Sequence, residues 1–160
     1  MENILVYTEE NIDLLYHEYK NIVYRIAFVY TKSRVDAEDV LQEVFLKYLK
    51  SSPRLTSKEH TKAWFIKVTL NCCKSMLSSA WFRKTLPFEN IEEVENQEVS
   101  DIYNCVMSLP KKYRILILLY YYDGYSIKEI STFLDRNPST IQTQLMRARK
   151  LLKNYLEGEN

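Results

Sequence analysis

Hydrophobic positions recur at helical spacing along most of the chain. Apolar residues fall every three or four positions from about Ile12 to Tyr30 and predict a first helix, ending near the polar TKSR stretch. A second pattern starts at Asp36, a candidate N-cap, and runs to about Lys50. Its residues Val40, Leu41, Val44, Phe45, Tyr48 and Leu49 form a broad arc expected to face inward. Residues 51–60, SSPRLTSKEH, read as a loop broken at Pro53. A third pattern runs from about Thr61 to Phe82. Such short connections predict an antiparallel helical bundle.

The pattern lapses after Lys84. From Leu86 to Asp101 there is no Lys or Arg, while Glu89, Glu92, Glu93, Glu95, Glu98 and Asp101 are all acidic. With Pro87, this reads as a linker or a solvated loop. A short helix follows around Ile102 to Ser108. Pro110 opens the apolar run KKYRILILLYYY, and Asp123-Gly124 closes it. Ser126 and Glu129 stand at capping-box spacing before Ile127, Ile130, Phe133 and Leu134, which are expected to face inward. Asp135, Arg136 and Asn137 make a turn. Asn137 can then cap a last helix with Pro138 at its first position. The expected fold is all-α: two small helical domains, 1–84 and 102–160, joined by an acidic linker at 85–101.

Composition agrees with helices, because the 160 residues include only two glycines and four prolines. The net charge of +1 means that any nucleic-acid surface must come from uneven charge distribution. Cys72, Cys73 and Cys105 form no CxxC pair, and His17 and His60 stand far apart. We therefore read the cysteines as packing residues and expect no metal and no cofactor. The N-terminus lacks a basic stretch, and the longest apolar run, residues 115–122, is too short to span a bilayer. A cytoplasmic protein without membrane insertion is expected.

The helix faces carry the functional signal. On the last helix, Ile141, Leu145, Ala148 and Leu152 share one side at about 100° per residue. Ser139, Gln142, Thr143, Met146, Arg147 and Lys150 occupy the other, with no carboxylate among them. Hydroxyls and cations can hold phosphates, Gln142 can read a base edge and Met146 can touch a thymine methyl. From Ser126 to Lys153, six cations (Lys128, Arg136, Arg147, Arg149, Lys150, Lys153) face two acids (Glu129, Asp135). A short helix, a turn and a cationic second helix make a helix-turn-helix; the bland alternative is a hairpin with a solvated basic face.

The third helix has a narrow polar strip of Lys67, Asn71, Lys74 and Ser78, continued by Trp64 and bordered by Ser75. An aromatic beside amide and ammonium groups suits single-stranded nucleic acid. Trp81, Arg83 and Lys84 extend that end, although Trp64 and Trp81 could equally be core residues. The second helix offers Asp39, Gln42, Glu43 and Leu46 on its outer side. A leucine ringed by polar groups can be a protein contact or an ordinary exposed leucine.

Two stretches in this order resemble a known family. DAEDVLQEVFLKYL followed by AWFIKVTLNCCKSML resembles the second region of bacterial sigma-70-type factors. SLPKKYRILILLYYYDGYSIKEISTFLDRNPSTIQTQLMRARKLL resembles their fourth region. With a short linker between them, the layout is that of the extracytoplasmic-function (ECF) group. The resemblance implies a non-enzymatic factor that binds bacterial core RNA polymerase, through the β′ clamp helices and the β flap, and directs it to promoter DNA. It places the β′ contact on Asp36, Asp39, Gln42, Glu43 and Leu46. It assigns the melted −10 strand to Trp64, Lys67, Asn71, Lys74 and Ser75, with Thr56, Ser57 and Lys58 holding a flipped base. It assigns the −35 duplex to Ser139, Thr140, Gln142, Thr143, Met146, Arg147, Arg149 and Lys150. It further implies an anti-sigma partner, and a linker whose acids occupy basic polymerase surfaces as a nucleic-acid mimic.

The chain departs from the family where many relatives have a Gly-Thr-Val opening and an Arg-rich start on the recognition helix. Here Ser139-Thr140-Ile141, Gln142 and Gln144 stand there. Phosphate anchoring then falls to Arg147, Arg149 and Lys150. Two other classes make different demands on the residues. A stand-alone regulator would bind duplex without polymerase and have no use for the outer face of the second helix. An enzyme would need a catalytic constellation, and no Ser/His/Asp set, phosphate loop or metal cluster is present in the sequence.

Overall fold

A computed structural model describes residues 9–79 and 97–158. Its contacts divide the chain into two units, with the boundary between Glu89 and Asn90. The first unit contains α1 (Glu9–Thr31), α2 (Arg34–Ser51) and α3 (Lys58–Ser79), packed pairwise against one another. The second contains α4 (Gln97–Ser108), α5 (Lys111–Ile117), a π-helical turn (Leu118–Tyr122), α6 (Ile127–Leu134) and α7 (Pro138–Leu156). No strand occurs among the described residues.

In the first unit, α1 buries Leu15, Tyr19, Val23, Ile26, Ala27 and Tyr30, the expected one-sided spacing. Lys32, at φ 57, turns the chain out of α1. The next helix starts earlier than its apolar pattern indicates. Ser33, not Asp36, is the N-cap, and its hydroxyl accepts from the Asp36 N–H at 3.2 Å. Asp36 sits in the first turn instead, where a carboxylate complements the helix dipole. The expected loop at 51–60 is also shorter. Ser51 ends α2, and Lys58, Glu59 and His60 belong to α3, because the Ser57 hydroxyl caps it by accepting from the His60 N–H at 3.0 Å. The end of the third pattern, 80–82, lies outside the described residues, as do Trp81, Arg83, Lys84 and the acids Glu89 to Glu95.

Phe65 on α3 is the hub of this core. It stacks on Tyr19 of α1 (4.7 Å between centroids) and on Tyr48 of α2 (5.6 Å), and packs against Phe45 (5.2 Å). Cys72 and Cys73 are buried here as expected. Burial pushes the Cys72 thiol above its ordinary value, with Glu43 adding to the shift and Lys47 opposing it. A thiol held neutral and out of solvent is a poor nucleophile. In the folded chain, iodoacetamide is expected to modify the half-exposed Cys105 well before Cys72 or Cys73, as read by peptide mass mapping. Equal rates would contradict this packing.

In the second unit, α7 is the centre of assembly, contacting α4, α5 and α6. Leu109, Leu116, Leu119, Ile130, Ile141 and Leu145 form its fully buried core. Arg114 is buried with them, and its Nη1 donates to the Leu109 carbonyl at 3.0 Å. The helix at 102–108 begins earlier than its pattern indicated, at Gln97, so Glu98 and Asp101 are helical. The run expected as one helix from 111 changes winding at Leu118. Asp123 N–H bonds to the Leu118 carbonyl, five residues back, at 2.9 Å. Gly124, at φ 74, then closes the turn.

The capping box is present in full. The Ser126 hydroxyl accepts from the Glu129 N–H, and the Glu129 carboxylate accepts from the Ser126 N–H, both at 3.1 Å. Ser126→Ala should cost about 1 kcal/mol. For a domain of this size that lowers the thermal midpoint by about 4–8 °C. A calorimetric scan showing no shift would mean the box contributes nothing.

Candidate nucleic-acid and polymerase interfaces

Helix α7 follows α6 across Asp135 (φ 51), Arg136 and Asn137. Asn137 stands at the N-cap position, but its side chain makes no capping bond, and Pro138 supplies the start instead. Ile141, Leu145 and Ala148 are buried while Leu152 is half-buried. The opposite face is open: Ser139, Thr140, Gln142, Thr143, Met146, Arg147, Arg149 and Lys150 are all exposed. At about 100° per residue they span roughly half the circumference. Met146, 59% exposed, lies near the centre. Arg149 lies at one edge, where its Nη1 donates to the Tyr121 hydroxyl at 3.1 Å. A wide polar, cationic face with an apolar contact at its middle matches a major-groove wall of phosphates, base edges and thymine methyls.

The α3 strip is also on one side. Trp64, Lys67, Asn71, Lys74, Ser75 and Ser78 fall within an arc of about 100°. Asn71, Lys74, Ser75 and Ser78 are exposed, and Trp64 and Lys67 are half-buried. Trp64 takes part in the core without being fully buried. Its ring meets Tyr48 at 5.5 Å and Phe65 at 5.0 Å, both in T-shaped contacts, and the residue is half-buried. Thr56, Ser57 and Lys58 are exposed at the N-terminal end of α3. Lys58 is helical rather than a loop residue, and Ser57 is the helix cap.

On α2, Asp39, Gln42 and Leu46 are exposed, and Asp36 and Glu43 are half-buried. Glu43 pairs with Lys47 at 3.6 Å, an exposed contact of little energetic weight. Leu46 is 46% exposed, as expected, but Leu49, expected inward, is 45% exposed. Leu49 sits about 120° from the middle of the buried arc, so a helical wheel centred on Val44 would have found it. Together Leu41, Phe45, Leu46 and Leu49 meet Tyr16 and Tyr24 of α1 in a groove of about 580 Å³, edged by Glu38 and Gln42. No sequence pattern marks Tyr16, whose place in the groove comes from the packing of α1 on α2. An apolar groove with a carboxylate and amide rim has the make-up of a protein interface, an apolar centre with a polar edge.

The two units thus define a class: a helical bundle with a strip suited to single strands, followed by a helix-turn-helix suited to duplex. Comparisons with known proteins agree. Residues 15–83 match the sigma-70 region 2 family, and residues 100–152 match sigma-70 region 4. The Bacillus subtilis ECF sigma factor SigM is 31% identical over 163 residues, covering 93% of this chain and 98% of the relative. The sigma factor SigV of the same organism is 28% identical over 148 residues, covering 89% of each chain. In fold, the sigma factor RpoE of Bartonella quintana, solved in complex with the anti-sigma factor NepR, superposes with a TM-score of 0.76 at 18% identity, covering 94% of this chain and 99% of that one. The chain belongs to the ECF group of sigma-70 family RNA polymerase sigma factors. Its function is promoter-directed transcription initiation with RNA polymerase. No helix among the described residues is long and apolar enough to cross a membrane.

Proposed function

We propose that this chain divides the work of initiation among three faces. The outer face of α2, with Asp36, Asp39, Gln42, Glu43 and Leu46, docks on the β′ clamp helices of core RNA polymerase, and the groove beside it adds Leu49 and Tyr16. The α3 strip and the Thr56–Lys58 corner hold the melted −10 strand, and the open face of α7 enters the −35 major groove. The domains are 1–84 and 102–160, and the acidic segment between them occupies basic polymerase surfaces until RNA displaces it. The second domain also meets the β flap. The factor performs no chemistry, acts in the cytoplasm and is held in check by an anti-sigma factor.

One observation carries the reading: the apolar groove and the α7 face occur in a chain that matches both sigma regions in order. A stand-alone regulator would have no use for the groove. The two readings separate in a binding experiment with purified chain, core polymerase and a random duplex library. The sigma reading expects a defined sequence to be selected only when core is present. Tight, specific selection by the chain alone, with no core association, would reject it.

A further inference from the structure

We propose that Gln144, oriented by Arg136, completes a phosphate seat on the flank of α7 and makes a DNA-backbone contact. This rests on the reading of α7 as a duplex-binding helix. Gln144 belongs to neither the buried side of α7 nor its fully exposed face; it is half-buried at the border. There it lines a concavity of about 260 Å³ with Ser139, Thr140, Thr143 and Arg147. All five side chains are polar and none is acidic.

The orientation of the amide follows from its partner. Arg136, in the turn before α7, donates from Nη1 to Gln144 Oε1 at 3.0 Å. A guanidinium has only donors, so the atom it meets must be the carbonyl oxygen. The amide is trigonal, so its NH₂ is left for the concavity that Gln144 lines. Arg136 is itself fixed by α6: its N–H donates to the Ser131 carbonyl at 3.1 Å, and its own carbonyl accepts from the Ser131 hydroxyl. The Gln144 amide is therefore oriented before any ligand arrives, which lowers its ordering cost on binding.

The chemistry of the seat selects its ligand. The Ser139 and Thr140 hydroxyls, the Gln144 amide and the Arg147 guanidinium can all donate, and Arg147 and Arg136 bring positive charge. A phosphodiester offers only acceptors and carries a negative charge, whereas a base edge is uncharged. Position agrees. Thr140, Gln144 and Arg147 lie to one side of the centre of the exposed arc. The centre of a helix lying in a groove meets bases, and its flanks meet the backbone. The cation that many relatives carry at the start of this helix is thus supplied from the turn.

Gln144→Glu separates this role from a structural one. A carboxylate there still accepts from Arg136, so the fold and the turn are kept, but it faces the phosphate with a like charge. The full chain is assembled with core polymerase, and affinity is read by fluorescence anisotropy on a −35 duplex selected by the wild type. The variant is expected to bind about tenfold or more weakly, at unchanged thermal midpoint, with a salt slope lower by about 1. Arg136→Ala, which releases the amide, should weaken binding in the same way. In a scan of single methylphosphonates, one position should exist at which wild type and Gln144→Glu bind alike. Gln144→Glu binding within about twofold of a wild type that itself binds duplex would overturn the seat and leave the reading of α7 intact. A wild type that selects no duplex in the presence of core would overturn that reading and the seat with it.

Discussion

Replacing Asp39 and Leu46 together by alanine should leave the first unit folded and abolish promoter-directed transcription. Neither side chain supports the core: Asp39 is exposed and Leu46 is 46% exposed. Leu46 forms part of the wall of the α1–α2 groove, and Asp39 lies two turns away on the same face of α2. Interfaces concentrate their energy in a few apolar anchors with a polar surround, and truncating an anchor typically costs about 2 kcal/mol or more. Losing an anchor and a neighbouring charge should cost about 2–4 kcal/mol, or roughly 30- to 1,000-fold in core affinity. Titration of labelled core polymerase checks the affinity, and circular dichroism checks the fold. Unaltered core binding by the double variant would remove α2 from the interface.

Phe65→Ala should have the largest effect on stability. Its ring is fully buried and touches aromatic rings from α1, α2 and its own helix. Removing such a ring typically costs about 3–5 kcal/mol, through lost transfer energy and the cavity left behind. That is a large share of the stability of a small helical unit. In urea the first unit should unfold at a much lower midpoint. The second unit, which buries its own core around Ile141 and Leu145, should keep its transition. A change below about 1 kcal/mol would mean that the three helices do not meet at Phe65.

Much of this was legible in the sequence, because the decisive signals are local. The α6–turn–α7 module follows from the Ser126–Glu129 capping box, Pro138 at a helix start and four apolar positions at helical spacing; the structure keeps the box and the proline and buries Ile141, Leu145 and Ala148, with Leu152 half-buried. The burial of Val40, Val44, Phe45 and Tyr48 follows in the same way. What was missed depends on competition or on tertiary contact. Ser33 and Asp36 can both cap, and the choice rests on which hydroxyl or carboxylate meets an N–H. ILILLYYY is apolar at every position, so no periodicity marks the change to π winding at Leu118. Leu49 is different: it sits about 120° from the middle of the buried arc, so a wheel centred on Val44 marks it as exposed without any tertiary contact. The Arg136–Gln144 bond spans eight residues and two elements, and only the folded turn brings the pair together.

The most direct test is run-off transcription with purified bacterial core polymerase on a library of promoter fragments. The wild-type chain is expected to produce discrete transcripts from a subset of fragments sharing two sequence elements, with none from core alone. The same transcripts should disappear with Asp39→Ala/Leu46→Ala. If the chain binds core yet starts no transcript on any fragment, or if initiation proceeds equally well with the double variant, promoter direction through these faces is contradicted.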